Sequence, residues 1–332
     1  MAYDPNVLRR ATQQLEQQRS AHKLNRDRQR ADVYRRQPRL EQLDRQLQGT
    51  MAQLMAAALR RGESTREAVQ AIKQDNLSIQ KEREELLAQL GLAPDALEDS
   101  PMCPLCGDTG WKGVHMCACL KKIYTAEQIS ELSKLLDLGS QSFDTFRMDY
   151  YSPQQMPGFP LSPRQNMEFT LRICRDFVSS FGKSGIKNLY FHGNPGLGKT
   201  FLSACIARAV SEQGHSVVYD TAGNIFAQFE DRKFWRGGES QDARDETRRY
   251  LNCDLLILDD LGSELTTQFT QTALYELINT RLVAGRHTVI SSNLSLAEVA
   301  QRYSPQIASR ISGEYHDLWF FGQDIRALKK QN

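Results

Sequence analysis

The sequence lacks any apolar run long enough to cross a lipid bilayer, and it lacks the features of a secretory signal. No stretch approaches the ~18–20 consecutive apolar residues of a membrane-spanning helix. Residues 1–5 do not show the basic and then apolar order of a signal peptide. We therefore expect a cytoplasmic protein with no membrane contact.

The chain also lacks a strong charge of one sign. Its formal net charge is +2 and its pI is near 8.1, so any contact with nucleic acid must be local rather than a property of the whole chain. The length of 332 residues allows one well-buried domain and a smaller one, because single cores rarely grow beyond about 250–300 residues.

The most informative stretch, residues 188–200, combines a short apolar strand, a glycine-rich loop and the start of a helix. Residues 193–200 match the P-loop pattern G-x-x-x-x-G-K-S/T without a mismatch. Backbone N–H groups of such a loop and the positive end of the helix bind phosphate. A turn that matches by chance is the alternative, but the order of strand, loop and helix argues against it. The predicted nucleotide-binding residues are Gly193, Asn194, Pro195, Gly196, Leu197, Gly198, Lys199 and Thr200.

Within this loop, two side chains have separate predicted roles. Lys199 can reach the β and γ phosphates of ATP as a point charge, and the Thr200 hydroxyl can bind Mg²⁺.

Two acidic residues follow a second apolar strand. Residues 255–258 are all apolar, which is typical of a strand buried on both faces, and Asp259 and Asp260 come directly after them. Ligands of open parallel sheets bind outside the carboxyl ends of the strands. Asp259 is therefore predicted to hold Mg²⁺, directly or through water, and Asp260 to orient or deprotonate the attacking water. The alternative is a helix cap or a turn.

Two further polar residues are catalytic candidates. Asn293 ends the apolar strand 287–293 and is predicted to sense the γ-phosphate or the attacking water, although it could simply cap the next helix. Arg310 stands among small and apolar residues and could reach the triphosphate of a neighbouring subunit. An ion pair within its own domain is the alternative for Arg310.

Four of the seven cysteines lie within residues 103–119. Cys103 and Cys106 form a Cys-x-x-Cys pair, and Cys117 and Cys119 can complete four thiolate ligands around a zinc ion with a structural role. His115 is a possible substitute for either cysteine of the second pair. Four free thiols or a redox pair are the alternative.

Residues 6–90 have the apolar spacing of helices, and Pro38 and Gly62 predict two or three of them. The first part is rich in arginine, which can indicate a solvated helix surface, an acidic protein partner or nucleic acid.

Later in the chain is a basic and aromatic cluster that could contact single-stranded DNA or form a packed helix end. This cluster comprises Phe229, Arg232, Lys233, Phe234, Trp235 and Arg236.

The order of strand, helix and strand around the P-loop predicts a parallel sheet. When the P-loop, the acidic pair and the polar end of strand 287–293 are taken together, residues 140–328 resemble an AAA+ ATPase of the helicase-loader clade. This clade comprises the DnaC/DnaI type and their IstB-like transposition relatives. The residues that carry the resemblance are 193–200, 255–262, 291–293 and 309–311. The implied fold is an α/β, P-loop AAA+ three-layer parallel-sheet domain at residues 139–332. It would follow an α-helical domain at residues 1–100 and a small zinc-binding module at residues 101–138.

The resemblance also implies an activity. An ATPase of this clade would use Arg310 as an arginine finger in the adjacent subunit and Arg326 as a second sensor. We expect an ATP-dependent replicative helicase loader that needs ATP, Mg²⁺ and Zn²⁺ and assembles as a homo-oligomer on the helicase ring. Its N-terminal half would bind the hexameric helicase, and its AAA+ domain would bind single-stranded DNA.

Two alternatives belong to other functional classes. One is an IstB-like transposition helper ATPase that binds duplex DNA, against which the cysteine cluster counts. The other is an adaptor that binds nucleotide without hydrolysing it, against which the intact acidic pair counts.

Overall fold

The computed structural model describes residues 3–58, 64–136, 138, 140–183, 185–234 and 241–331. The chain divides into two compact units, one of Gln13–Cys117 and one of Met1–Thr12 with Ala118–Asn332. The predicted boundaries near residues 100 and 138 stay predictions. In the described ranges, no helix combines the length and the apolar character that crossing a membrane requires.

The unit of residues 13–117 is mainly helical. It contains most of α1 (Pro5–Arg36), then α2 (Pro38–Ala58), α3 (Ser64–Gln89) and the strands β1 (Trp111–Lys112) and β2 (His115–Met116), which form an antiparallel hairpin. The predicted break at Pro38 separates α1 from α2, and α2 begins at this proline because the first helical position needs no backbone N–H donor. Gly62, the second predicted break, lies outside the described residues.

Among the described residues of this unit, a buried apolar cluster lies beside a set of polar contacts. Leu40 of α2 and Leu87 of α3 are fully buried in the same apolar cluster. Beside them, the Asp44 carboxylate accepts hydrogen bonds from Tyr34 Oη and Arg83 Nε, each at 2.6 Å.

Several arginines of α1 have partners inside this unit. Arg30 donates to the Leu97 carbonyl at 2.8 Å and to Asp99 at 2.6 Å, and Arg35 donates to Asp32 at 3.0 Å. These contacts favour the interpretation of an ordinary helix surface for this arginine-rich stretch.

The second unit carries the sheet. In chain order it contains α4 (Ala118–Leu132), a 3₁₀ helix (Met148–Tyr150), α5 (Pro163–Ser179), β3 (Asn188–Gly193), α6 (Lys199–Glu212), β4 (Val217–Thr221), α7 (Ala222–Phe234), α8 (Gln241–Asn252), β5 (Leu255–Leu261), α9 (Gln268–Val283), β6 (His287–Ser292), α10 (Leu296–Arg302), α11 (Pro305–Glu314), β7 (His316–Phe320) and α12 (Ile325–Gln331).

The five strands pair in the order β4-β5-β6-β3-β7, and every pairing is parallel. This arrangement confirms the parallel sheet that the sequence predicts. Strand β3, which leads into the P-loop, lies between β6 and β7. The end of β5, which carries the acidic pair, and the end of β6, which is followed by Asn293, therefore both lie on one side of β3.

Both faces of the sheet are buried. Along β5, Leu255 and Ile257 face a core with α5 and α6, whereas Leu256 and Leu258 face a second core with α7, α9 and α11. This alternation follows from the two-residue period of a strand. It explains the continuous apolar run and confirms the predicted three-layer organisation.

Candidate nucleotide-binding site

A cavity of about 670 Å³ lies at the carboxyl ends of β3, β5 and β6. It brings together three separate sequence motifs: the P-loop, the acidic pair near the end of β5 and the polar end of β6. The predicted residues that line it are Pro195, Gly196, Leu197, Gly198, Lys199, Thr200, Asp259, Asp260, Asn293 and Arg326.

The conformation of the P-loop depends on residues without a side chain. Gly193 has φ 137° and Gly196 has φ 78°, which side-chain-bearing residues rarely adopt. A Cβ atom would overlap the Phe320 carbonyl oxygen at Gly193 and the Asp324 carboxylate at Gly196. The loop can therefore lie against the end of β7 and the start of α12 only because these two positions are glycine.

The Lys199 side chain is buried at the first turn of α6. Its ammonium donates hydrogen bonds to the carbonyl oxygens of Gly193 at 2.6 Å and Asn194 at 2.9 Å, and to Asn293 Oδ1 at 2.8 Å. Burial lowers the pKa of Lys199 to about 8, against the opposing effect of the nearby Asp259 and Asp260 carboxylates. The lysine thereby links the P-loop to the end of β6 and orients the Asn293 amide at the cavity.

The acidic pair has two different environments. Asp259 is 6% exposed, and its Oδ1 accepts a hydrogen bond from the Asp260 backbone N–H at 3.0 Å. Asp260 is exposed to the cavity and has φ 58°, an uncommon conformation for a residue with a side chain. Strained backbone of this kind clusters at functional sites. At the end of β5, the left-handed backbone of Asp260 separates one buried carboxylate from one accessible carboxylate.

The oxygen donors at this end of the sheet suit a magnesium ion. Thr200 Oγ1 lies 3.3 Å from Asp259 Oδ2, and Asp260 lines the same cavity. Hydroxyl and carboxylate oxygens are the hard ligands that Mg²⁺ takes, usually together with phosphate oxygens and water. Thr200 and Asp259 are the residues that would hold the ion.

One wall of the cavity is aromatic, and sequence reasoning did not assign it to the site. Tyr151 donates from Oη to the Leu197 carbonyl at 3.0 Å, and its ring stacks on Phe146 with centroids 5.8 Å apart. Gly198 has φ 97°, and a Cβ atom there would lie 2.6 Å from Tyr151 Oη. The signal in the sequence was an aromatic pair, Tyr150 and Tyr151, in a mostly irregular segment before the P-loop. Flat apolar faces of this kind suit the base of a nucleotide.

The start of α12 closes another side of the cavity. The Ile325 backbone N–H donates to the Gly196 carbonyl at 2.9 Å, so that the helix is joined to the P-loop. Arg326 is exposed and lines the cavity together with Lys329. The family resemblance implied a role for Arg326, but not the backbone contact that positions it.

Arg310 has a different location. It lies on α11 and, within the described part of the chain, is not among the residues that line the cavity. Its guanidinium donates to Tyr275 Oη at 3.3 Å and lies 5.3 Å from the centre of that ring. The side chain is therefore held near the surface, away from the nucleotide pocket of its own chain.

The four cysteines of residues 103–119 form a compact cluster. The Sγ atoms of Cys103, Cys106, Cys117 and Cys119 all lie within 4.8 Å of one another, and those of Cys103 and Cys117 are 3.8 Å apart. A tetrahedral zinc site with Zn–S bonds of about 2.3 Å places its sulfur atoms roughly this far apart. The cluster is compatible with zinc, and it does not include His115, the alternative ligand.

The predicted basic and aromatic cluster is only partly described. Phe229 is buried in the sheet core, Arg232 is exposed, and the Lys233 ammonium lies 5.2 Å from the centre of the Phe269 ring. Trp235 and Arg236 lie outside the described residues. A contact of this segment with single-stranded DNA therefore stays a prediction.

Comparison with known proteins agrees with this geometry. Residues 169–311 match the family model described as IstB-like ATP binding protein. The chain is 25% identical over 141 residues to the replicative helicase loader DnaC of Escherichia coli strain K12. This alignment covers 42% of this chain and 56% of that protein. It is 28% identical over 134 residues to the replicative helicase loader DnaI of Bacillus subtilis strain 168, covering 39% of this chain and 40% of that protein.

Among solved structures, the crystal structure of the DnaC helicase loader aligns with a TM-score of 0.43 and 24% identity. The alignment covers 54% of this chain and 98% of that one. The matches to the curated relatives thus span about half of their length or less. Residues 169–311 thus match an IstB-like ATP-binding domain, and this part of the chain is similar to part of the DnaC and DnaI helicase loaders, in agreement with the resemblance that the motifs indicate.

Proposed function

We propose that this chain is an ATP-dependent loader of a hexameric replicative helicase. The observation that carries the proposal is the pocket in which Lys199, the acidic pair and Asn293 converge. This pocket lies in a domain homologous to part of two proteins named as replicative helicase loaders. ATP binding would order the assembly, and hydrolysis would release it.

Each group in the pocket has one task in this proposal. Lys199 and the P-loop N–H groups hold the β and γ phosphates, while Thr200 and Asp259 hold Mg²⁺, which neutralises phosphate charge when it is bound. Asp260 is the accessible carboxylate and accepts a proton from the attacking water. Asn293 orients that water or the γ-phosphate.

Arg310 acts on a neighbouring subunit in this proposal. An arginine finger must reach a triphosphate from outside the P-loop domain that binds it. The location of Arg310, outside the pocket of its own chain and partly exposed at the surface, supports that role. The site then becomes complete only in a homo-oligomer, which we place on the helicase ring.

The remaining contacts of the proposal concern the partners. The helicase binds to residues 1–135, which contain the helical stretch and the cysteine cluster, and a structural zinc ion holds that cluster. Single-stranded DNA binds to the ATPase domain through basic and aromatic side chains.

The experiment that tests this function is co-purification of the full chain with the host's replicative helicase, with and without ATP, by size exclusion with light scattering. A stable complex with the full chain, absent after deletion of residues 1–135, is the expected result. If the chain binds no helicase but forms ATP-dependent filaments on duplex DNA, the loader function is wrong and the IstB-like transposition helper replaces it.

A further inference from the structure

Tyr219 lies on β4, beside the strand that carries the acidic pair. In the register of the two strands Tyr219 pairs with Ile257, and Thr221 pairs with Asp259. The ring is 8% exposed and packs in the core that contains α5 and α6. Its hydroxyl donates a hydrogen bond of 2.7 Å to Asp259 Oδ2. A buried side chain from a neighbouring strand thus contacts the carboxylate assigned to Mg²⁺.

Within the described part of the chain, three donors contact the Asp259 carboxylate. Tyr219 Oη and Thr200 Oγ1 both donate to Oδ2, at 2.7 and 3.3 Å, and the Asp260 N–H donates to Oδ1 at 3.0 Å. All three donors are neutral. They restrict the orientation of the carboxylate but leave its negative charge available to a cation, whereas a directly bound arginine or lysine would neutralise that charge.

The three donors are not equivalent once a cation binds. Thr200 is itself a ligand of Mg²⁺ in the proposed site, and the Asp260 donor is a backbone group. Tyr219 is therefore the side chain of this set that can hold Asp259 without binding the metal.

We propose that Tyr219 is a positioning residue of the magnesium site, which fixes the rotamer of Asp259 so that its carboxylate faces the cation bound with the nucleotide. This role rests on the nucleotide binding proposed above. Outer-shell donors to metal-ligating carboxylates have this effect in other metal sites, where their removal typically weakens metal affinity by about 10–100-fold.

The test replaces Tyr219 with phenylalanine, which keeps the ring in the core and removes only the hydroxyl. A fluorescent ATP analogue is titrated into the full chain in EDTA and then at increasing MgCl₂ concentrations. We expect Tyr219→Phe to bind the analogue in EDTA as the wild type does. We also expect the Mg²⁺ concentration at half of the Mg²⁺-dependent gain in affinity to rise by about tenfold, the lower end of the outer-shell range.

Tyr250→Phe is the matched control. Tyr250 is also buried, and its hydroxyl donates to a carboxylate at the same distance, 2.7 Å, but that carboxylate belongs to Asp220, which does not line the described cavity. Its Mg²⁺ midpoint should equal that of the wild type. Binding in EDTA in the same samples shows that each variant is folded.

The possible failures can be told apart. An unchanged Mg²⁺ midpoint for Tyr219→Phe would overturn the positioning role, and so would an equal loss of affinity with and without Mg²⁺, which is the result of a general packing defect. A wild type that binds no nucleotide in either condition would overturn the proposed function itself, and the role of Tyr219 with it.

Discussion

At the scale of single residues, the accessible carboxylate of Asp260 is expected to matter more for turnover than for nucleotide binding. Asp260→Asn keeps a residue type that tolerates the left-handed conformation, φ 58°, but it removes the proton acceptor. We expect ATP affinity to stay near the wild-type value while turnover falls by about 10²–10⁴-fold, the usual contribution of a general base. Calorimetry measures the affinity, and phosphate release measures the turnover. Wild-type turnover in this variant would remove Asp260 from catalysis.

Asp260→Ala provides a matched comparison for this prediction. Alanine also lacks the carboxylate, but it is less compatible with the positive φ, at a cost of roughly 1–2 kcal/mol. The alanine variant should therefore lose turnover to the same extent and also melt at a lower temperature. If only the alanine variant loses turnover, backbone strain rather than a missing base explains the effect.

Residues inside a motif could be predicted from the sequence, whereas residues that reach the site from elsewhere could not. Lys199 stands at a fixed position after β3, Asp259 follows the apolar run of β5, and local spacing is enough to indicate their chemistry. Tyr151 and Tyr219 reach the site because distant segments fold against the P-loop and against β5. Their contacts depend on strand order and side-chain packing, and no local pattern encodes either.

At the scale of elements, Asp254 joins the starting ends of three strands opposite the nucleotide site. Its carboxylate accepts hydrogen bonds from the Ser216 N–H at 3.2 Å and from Arg286 at 2.5 Å, and His215 Nδ1 lies 3.6 Å away. Burial alone would raise the pKa of Asp254, but the contacts with His215, Ser216 and Arg286 outweigh it and hold this pKa below its ordinary value of 3.8.

This contact predicts a dependence of stability on pH. Because the Asp254 pKa is lower in the folded chain than in the unfolded chain, ionisation stabilises the fold above the unfolded value, and the gain is lost as the pH falls through the folded value. The difference in melting temperature between wild type and Asp254→Asn should therefore be large at pH 7 and shrink toward about pH 3. Asp231→Asn, at an exposed site on α7, is the control and should change little at either pH. A difference for Asp254→Asn that is independent of pH would contradict the role of its charge.

The elements themselves were predictable to different degrees. The apolar runs of β3, β5 and β6 predict strands that are buried on both faces. Strand β7 was not predicted, because it is an edge strand whose His316, Asp317 and Trp319 are exposed and its pattern is mixed. Helix α12 is short, and its position depends on the backbone contact between Ile325 and Gly196, which only the assembled fold provides.

At the scale of the whole molecule, the candidate nucleotide site and the cysteine cluster are formed by different parts of the chain. The residues that line the described cavity all fall within 141–329, whereas the cysteine cluster falls within residues 103–119.

Cys103→Ser combined with Cys106→Ser should therefore lower zinc from one ion per chain to nearly none and abolish co-purification with the helicase, while binding of an ATP analogue stays within about twofold of the wild type. A small metal-dependent module loses its fold with its ion, but the ATPase core is stabilised by its own sheet. Elemental analysis measures the zinc content, and the two binding assays measure helicase and nucleotide binding. Cys174→Ala is the control, because it removes a buried thiol outside the cluster. This variant should keep both zinc and helicase binding. A wild-type chain that contains no zinc yet binds the helicase would show that the four thiols do not act through a metal.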